Sequence, residues 1–136
     1  LPFVSSGSIK ILTKQGKQLF QVVGGTTRVL HRLDEPAKNI LRHIGRDRLS
    51  KALGKKLGED IFVHHRLPLE WAHLMPGDPN DLANLAGVTG ELHAKITNEW
   101  KAWKKVLSGK TPTPGEIMAK AQDIDKKYGG QFIRAR

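Results

Sequence analysis

The sequence predicts a mainly helical α+β fold. Two observations indicate strands: period-two apolar runs flank a polar turn near the N-terminus, and a short apolar run at mid-chain ends in His64 and His65. A third observation indicates helices, because from residue 34 onward apolar residues recur at helical spacing beside capping residues. The 136 residues are enough for about one domain.

The first segment, residues 1–33, is predicted to contain a β-hairpin. The runs "IKIL" and "LFQVV" lie on either side of "TKQGKQ", and Gly24-Gly25 breaks the second run. We interpret this segment as a strand or linker region that precedes the main domain, residues 34–136.

A helical pattern begins at Asp34, with Pro36 near its first turn. Its apolar positions are Ile40, Leu41, Ile44, Leu49, Leu53 and Leu57. Because Gly45, Gly54 and Gly58 weaken a helix, we expect a break or two helices. Two interpretations of the polar face stay open: its cations lie along the phosphates of a nucleic acid, or they form a solvated surface. The six cations are Arg42, Arg46, Arg48, Lys51, Lys55 and Lys56.

The middle of the chain is predicted to form two short strands followed by a helix. Ile61–His65 has the composition of a strand, and the turn-forming run "PGDPNDLANL" separates it from a second strand at Leu85–Val88. Thr89 is a favourable N-cap for a helix that runs to about Leu107. This strand, strand and helix unit spans about residues 60–107.

A last helix is predicted over Pro114–Tyr128. Thr113 and Glu116 have capping-box spacing, and proline occupies the first helical position. Gly129-Gly130 is expected to end the helix.

Composition restricts the classes of function. The 23 Lys and Arg residues exceed the 13 acids, so the net charge of +10 attracts nucleic acid, anionic lipid or an acidic protein. No apolar run approaches a membrane span, and we predict no membrane insertion. There is no cysteine, which excludes disulfides and thiolate zinc sites. The start at Leu1 suggests a fragment of a longer polypeptide.

Histidines mark the candidate site. His64 and His65 are neighbours at the end of a predicted strand, so their side chains are expected to point to opposite faces. On the helix after Thr89, His93 shares a face with Ile96, Thr97, Trp100, Trp103 and Leu107, and is expected to point into the protein. Glu70 and His73 are interpreted as structural, and Trp71 and the other two tryptophans as core residues.

The segments "VHHRLPLEWAHL", "NDLANLAGVT" and "ELHAKITNEW" together resemble the HNH endonucleases of the His-Me finger superfamily, the ββα-metal nucleases. The resemblance covers roughly residues 60–105. A weaker likeness to the C-termini of bacterial toxins extends over "EIMAKAQDIDKKYGGQFI".

The resemblance implies a role for each matching residue. His65 is expected to act as the general base that deprotonates water, while His64 and His93 bind a metal ion. Asn84 is expected to brace the loop between the strands and help orient the base. Arg66, next to the base, is a candidate for contact with the scissile phosphate.

The sequence departs from the family pattern at one position. Many members carry another ligand one helical turn after the helical histidine, where this chain has Thr97. With two imidazoles and the remaining positions open, Mg²⁺, Mn²⁺ and Zn²⁺ all remain candidates.

The implied function is a metal-dependent, largely sequence-non-specific nuclease that cleaves DNA. By resemblance, it is the toxin domain of a larger secreted or injected bacterial effector, acts in the cytoplasm of the target cell, and is neutralised by a cognate immunity protein that is expected to be acidic. Two alternatives stay open: cleavage of RNA, and a non-catalytic nucleic-acid-binding module with a structural metal.

Overall fold

The computed structural model describes residues 9–12 and 18–135. The predicted α+β class is confirmed, since the described residues form three α-helices, several short 3-10 turns and two small antiparallel sheets. Among the helices of this described part, none is long and apolar enough to cross a membrane.

The N-terminal sheet is a meander of three strands. Strands β1 (Ile9–Leu12) and β2 (Gln18–Val23) form the predicted antiparallel hairpin, whose connecting residues 13–17 lie outside the described part. Strand β3 (Thr26–Val29) pairs with β2 and was not predicted. It follows Gly24 and Gly25 directly, and their φ angles of 57° and 82° give the left-handed two-residue turn that joins twisted antiparallel strands.

Helix α1 (Glu35–Leu53) begins at Asp34, whose side chain accepts a hydrogen bond from the Ala37 amide at 3.0 Å. Of the three glycines expected to weaken the helix, Gly54 is the one that ends it, with a φ of 73°, whereas the helix continues through Gly45. The apolar residue Leu57 of the predicted pattern therefore lies beyond the helix. Gly45 serves a different purpose, which the site described below explains.

The N-terminal sheet and α1 share one hydrophobic cluster. Leu19, Phe20 and Val22 of β2 pack with Ala37 and Leu41 of α1 and with Leu69 and Ala72 from the 3-10 segment Leu69–Leu74. Residues on both sides of position 33 thus contribute to the same core.

The second sheet is the predicted pair of strands. Strands β4 (Ile61–His65) and β5 (Leu85–Thr89) are antiparallel, with His64 opposite Ala86 and His65 opposite Leu85. Helix α2 (Gly90–Leu107) follows without a loop, and the Thr89 hydroxyl accepts from the Leu92 amide at 3.2 Å, as predicted.

Two separate apolar clusters cover the β4–β5 hairpin. In one, Val88 packs with Leu92 and Ile96 of α2 and with Ile124. In the other, Leu85 packs with Leu49 of α1 and with Leu57. The hairpin therefore lies between α2 and α1, and the alternation of side chains along β4 directs neighbouring residues into these two environments.

Helix α3 (Pro114–Tyr128) begins with the predicted capping box, in which Thr113 and Glu116 bond to each other's backbone amides. Glu99 of α2 accepts hydrogen bonds from Lys120 at 2.8 Å and Lys127 at 3.1 Å, which joins the two helices. After α3 the chain returns to the hairpin, where Ile133 pairs with Gly87.

Candidate functional site

The two adjacent histidines lie in different environments, as their positions on a strand predict. His64 is 6% exposed and its ring centroid is 5.2 Å from that of Phe132. Phe62, two residues earlier on the same face of β4, stacks on His93 of α2 at 4.7 Å with an interplanar angle of 19°. His64 and His93 therefore share the α2 side of the hairpin, whereas His65 packs against α1.

An open cleft of about 450 Å³ brings these groups to one surface. All three predicted site histidines line it, and Thr97 is part of its wall. The cleft also carries four cations from the two flanking helices: Lys38, Arg42, Lys101 and Lys104. Among the described residues that line it, one is acidic, Glu70.

His65 is held by a residue that sequence reasoning missed. Its Nε2 lies 2.7 Å from Oδ1 of Asn80, and the Asn80 amide nitrogen donates to the Leu41 carbonyl of α1 at 3.0 Å. Because the amide nitrogen is used in this way, Oδ1 faces the imidazole as an acceptor, and Nε2 must carry the proton. The lone pair of neutral His65 is therefore on Nδ1.

Asn80 is fully buried and its polar groups are satisfied. Its backbone amide donates to the Asp78 side chain at 2.8 Å, and its carbonyl accepts from Arg48 at 2.8 Å. Arg48 also pairs with Asp78 at 2.9 Å. Satisfied buried networks of this kind restrict a side chain to one arrangement.

Gly45 permits this arrangement. A Cβ atom added at Gly45 would lie 2.6 Å from Asn80 Oδ1 and 3.4 Å from His65 Nε2. The first distance is shorter than any ordinary contact, so only glycine lets α1 approach the His65–Asn80 pair this closely. The glycine that looked like a helix breaker instead provides space for the site.

Burial keeps both strand histidines neutral. Loss of solvent lowers the pKa of His65 to about 4, and the hydrogen bond that His65 donates to Asn80 opposes this only partly. Loss of solvent also lowers the pKa of His64 to about 4, with the neighbouring His65 as the next cause. At pH 7 both rings thus hold the lone pair that metal binding or proton abstraction requires.

His64 has the features expected of a metal ligand. Its Nε2 is buried and has no hydrogen-bond partner among the described residues, which is costly for a polar atom unless something else binds it. His93 lies on the same face, and burial lowers its pKa as well. Within residues 9–12 and 18–135, however, no group of three or more His, Cys, Asp or Glu side chains is placed to hold a metal. The residues fit a two-imidazole site in which Thr97 contributes no strong ligand.

The side-chain hydrogen bonds of Asn84 brace the loop and go to residues other than His65. Its Oδ1 accepts from the Leu67 amide at 2.8 Å, and its Nδ2 donates to the Pro79 carbonyl at 2.9 Å. Its backbone carbonyl accepts from the Arg66 amide at 2.9 Å. The direct hydrogen bond to the base histidine belongs to Asn80, four residues earlier.

The Arg66 guanidinium connects the end of β4 to α3. Its Nε donates to Oδ2 of Asp125 at 2.8 Å, a second nitrogen donates to the same oxygen, and a third reaches the Ala83 carbonyl at 3.3 Å. Contact with a scissile phosphate stays a prediction for this residue. Asp125, which sequence reasoning missed, also opposes the lowering of the His64 pKa through its negative charge.

Two of the cations predicted on the polar face of α1 are used inside the fold. Arg46 donates to the carbonyls of Ile61 and Gly58, each at 2.6 Å, and Arg48 bonds to Asn80 and to the Gly25 carbonyl. Arg42 is exposed and lines the cleft.

No family model, no curated protein and no solved structure matches this chain.

Gly45→Ala is expected to lower the free energy of unfolding by about 1–3 kcal/mol, although alanine is favoured over glycine in helices by about 1 kcal/mol. The added methyl group displaces Asn80 and leaves buried polar atoms unpaired. Gly115→Ala in α3 is the control, since its Cβ would be 3.9 Å from the nearest atom, the Thr113 hydroxyl. Urea unfolding measures both variants, and a Gly45→Ala protein at least as stable as wild type would contradict the packing described here.

Stability is expected to fall as the pH decreases from about 6.5 toward 4. In that window the two histidines bind protons in the unfolded chain. In the folded protein His64 and His65 have a pKa of about 4 and stay neutral. Between pH 7 and 5 the loss is roughly 2 kcal/mol for each ring. His65→Gln, compared with His43→Gln at an exposed position of α1, should reduce this pH dependence in urea unfolding; equal slopes for the two variants would be inconsistent with a neutral buried His65.

Proposed function

We propose that this chain is a metal-dependent nuclease of the HNH type that hydrolyses phosphodiester bonds of DNA with little sequence selectivity. One observation supports this above the others: a neutral His65 with a fixed tautomer lines the same basic cleft as His64 and His93. Hydrolysis requires a base, charge stabilisation and a bound phosphate, and the cleft has side chains for each.

In this proposal, His65 acts as the general base through Nδ1. It takes a proton from a water molecule as the water oxygen forms a bond to phosphorus, and one P–O ester bond breaks. The departing oxygen takes a proton from solvent, and His65 later releases its own. The hydrogen bond to Asn80 keeps the ring in the tautomer that accepts at Nδ1 throughout.

The phosphate brings the negative charge that this base needs. A pKa of about 4 makes His65 neutral at physiological pH but a weak base. A phosphodiester anion in the cleft raises the pKa of a neighbouring imidazole, and Lys38, Arg42 and Lys101 balance the charge that develops on phosphate oxygens.

His64 and His93 are the residues that would hold the metal ion. A divalent ion held there would supply positive charge that stabilises the negative charge developing during hydrolysis. The remaining positions would be filled by water and phosphate, which suits Mg²⁺ and Mn²⁺ as well as Zn²⁺.

A structural metal has less support. A closed zinc site requires four protein ligands, whereas His65 bonds to Asn80 on the other side of the hairpin. Two imidazoles remain on the α2 side, and the described residues add no third strong ligand.

The biological setting follows from the resemblance alone. We propose that the chain is the toxin domain of a larger secreted or injected bacterial effector that acts in the cytoplasm of the target cell. A cognate acidic immunity protein would block it in the producing cell, and the net charge of +10 is compatible with such a partner.

The direct test is incubation of plasmid DNA, and separately of RNA, with the purified chain in Mg²⁺, Mn²⁺ or Zn²⁺. Wild type should cut DNA, and His65→Gln should cut at least about a hundredfold more slowly, because its amide can still bond to Asn80 but is not basic. His43→Gln should retain wild-type activity. Absence of cleavage of either polymer with every metal would overturn the proposal, and cleavage of RNA alone would reassign the substrate.

A third imidazole at position 97 is expected to strengthen metal binding. Thr97 lies one turn after His93 and lines the same cleft, so Thr97→His places two imidazoles at i and i+4 on one face. Calorimetric titration with Zn²⁺ should give an affinity at least about tenfold higher than wild type, a conservative estimate for adding one protein ligand. Unchanged affinity would mean that His93 does not face the metal.

A further inference from the structure

A second basic opening adjoins the histidine cleft. It has a volume of about 550 Å³ and lies beside the C-terminal half of α2 and the turn that follows. We call it the lysine groove, and define it by Arg32, Trp71, Lys101, Lys104, Lys105 and Lys110. Lys101 and Lys104 line both the groove and the cleft, so the two openings are continuous.

The charge of the lysine groove is poorly compensated. Glu70 pairs with Arg32 at 3.5 Å and with Lys104. Lys101, Lys105 and Lys110 form no ion pair with any residue of the described part, and all three are exposed. Clustered like charges of this kind repel one another and attract a polyanion.

Local structure fixes the positions of these cations. Lys104 and Lys105 follow Lys101 on α2 by three and four residues, so both lie on the same side of the helix as Lys101. The helix ends in a left-handed turn at Ser108 and Gly109, with φ angles of 51° and 81°. The Lys110 amide then bonds back to the Leu107 carbonyl at 3.0 Å, which keeps Lys110 beside the helix.

The floor of the groove is aromatic but does not suit base stacking. The charged ends of Arg32 and Lys104 are each 5.9 Å from the Trp71 ring centroid, and Trp103 packs on Trp71 edge-on at 6.4 Å. Trp71 is only 7% exposed, so a nucleobase has no open ring face to stack on. The groove thus offers charge to phosphates rather than contacts to bases.

We propose that the lysine groove binds the sugar-phosphate backbone of nucleic acid outside the bond that is cut, and extends the contact from the histidine cleft along α2. The choice of nucleic acid as the ligand rests on the proposed function of the adjoining cleft, whereas the binding measurement requires no cleavage. Continuity with the cleft favours nucleic acid over an acidic protein. Contacts to phosphates carry no sequence information, which agrees with low sequence selectivity.

The test measures the affinity for a fluorescent 20-base-pair DNA duplex by fluorescence anisotropy. Wild type and variants are titrated in EDTA at a series of KCl concentrations. Lys105→Gln combined with Lys110→Gln removes two groove charges, and Lys95→Gln combined with Lys126→Gln removes two exposed charges that line neither opening. Each lost phosphate contact lowers the slope of log K against log salt by about 0.9. The groove variant should therefore lose about 1.8 from the slope and bind more than tenfold more weakly at low salt, while the control stays within about a factor of two of wild type.

Equal effects of the groove and control variants would overturn the inference, since only net charge would then matter. The inference would also fail if the groove variant lost affinity for poly-glutamate but not for DNA, which would assign the surface to an acidic protein. The binding measurement needs no cleavage. A wild type that cuts neither polymer would therefore overturn the proposed nuclease function without changing the salt dependence of DNA binding. Conversely, if the wild type cleaves DNA and the groove variant binds DNA normally, the proposed function stands and the lysine groove is not a nucleic-acid-binding surface.

Discussion

The hydrogen bond between His65 and Asn80 beneath helix α1 is the constraint on which the site depends. It requires Gly45, because any side chain at that position would occupy the space of the Asn80 amide. It also requires the loop before β5 to be fixed, which Arg48 and Asp78 achieve through bonds to the Asn80 backbone. Helix, loop and strand thus meet at one imidazole, whose protonation state and orientation follow from their packing.

The short β4–β5 hairpin gives two neighbouring histidines unequal chemistry. Side chains alternate along a strand, so His64 turns to α2 with a buried, unpartnered Nε2, and His65 turns to α1 and is held by an amide. Burial holds the pKa of both rings far below that of free histidine, and each keeps a lone pair at neutral pH. The surrounding lysines and arginines then supply the positive surface on which a polyanion can lie.

Local signals in the sequence are sufficient to predict most helices and strands, but not the contacts between them. Thr89 and Thr113 cap helices where predicted, and the strand ending at His65 is confirmed. Strand β3 was missed although Gly24-Gly25 is a strong two-residue turn signal, because that pair was interpreted as the end of a strand. The sequence does not assign Gly45, Asn80 and Asp125 to the site, since their roles depend on residues 15 to 61 positions away, which no local pattern reveals.

The protonation state of His65 can be measured from the ¹⁵N chemical shifts of its two ring nitrogens in the free protein at pH 7. We expect a neutral imidazole with the proton on Nε2, an unprotonated Nδ1, and no further protonation until the pH falls to about 4. The Asn80→Ala protein should lose this single tautomer. A charged ring at pH 7, or a proton on Nδ1, would contradict the proposed base.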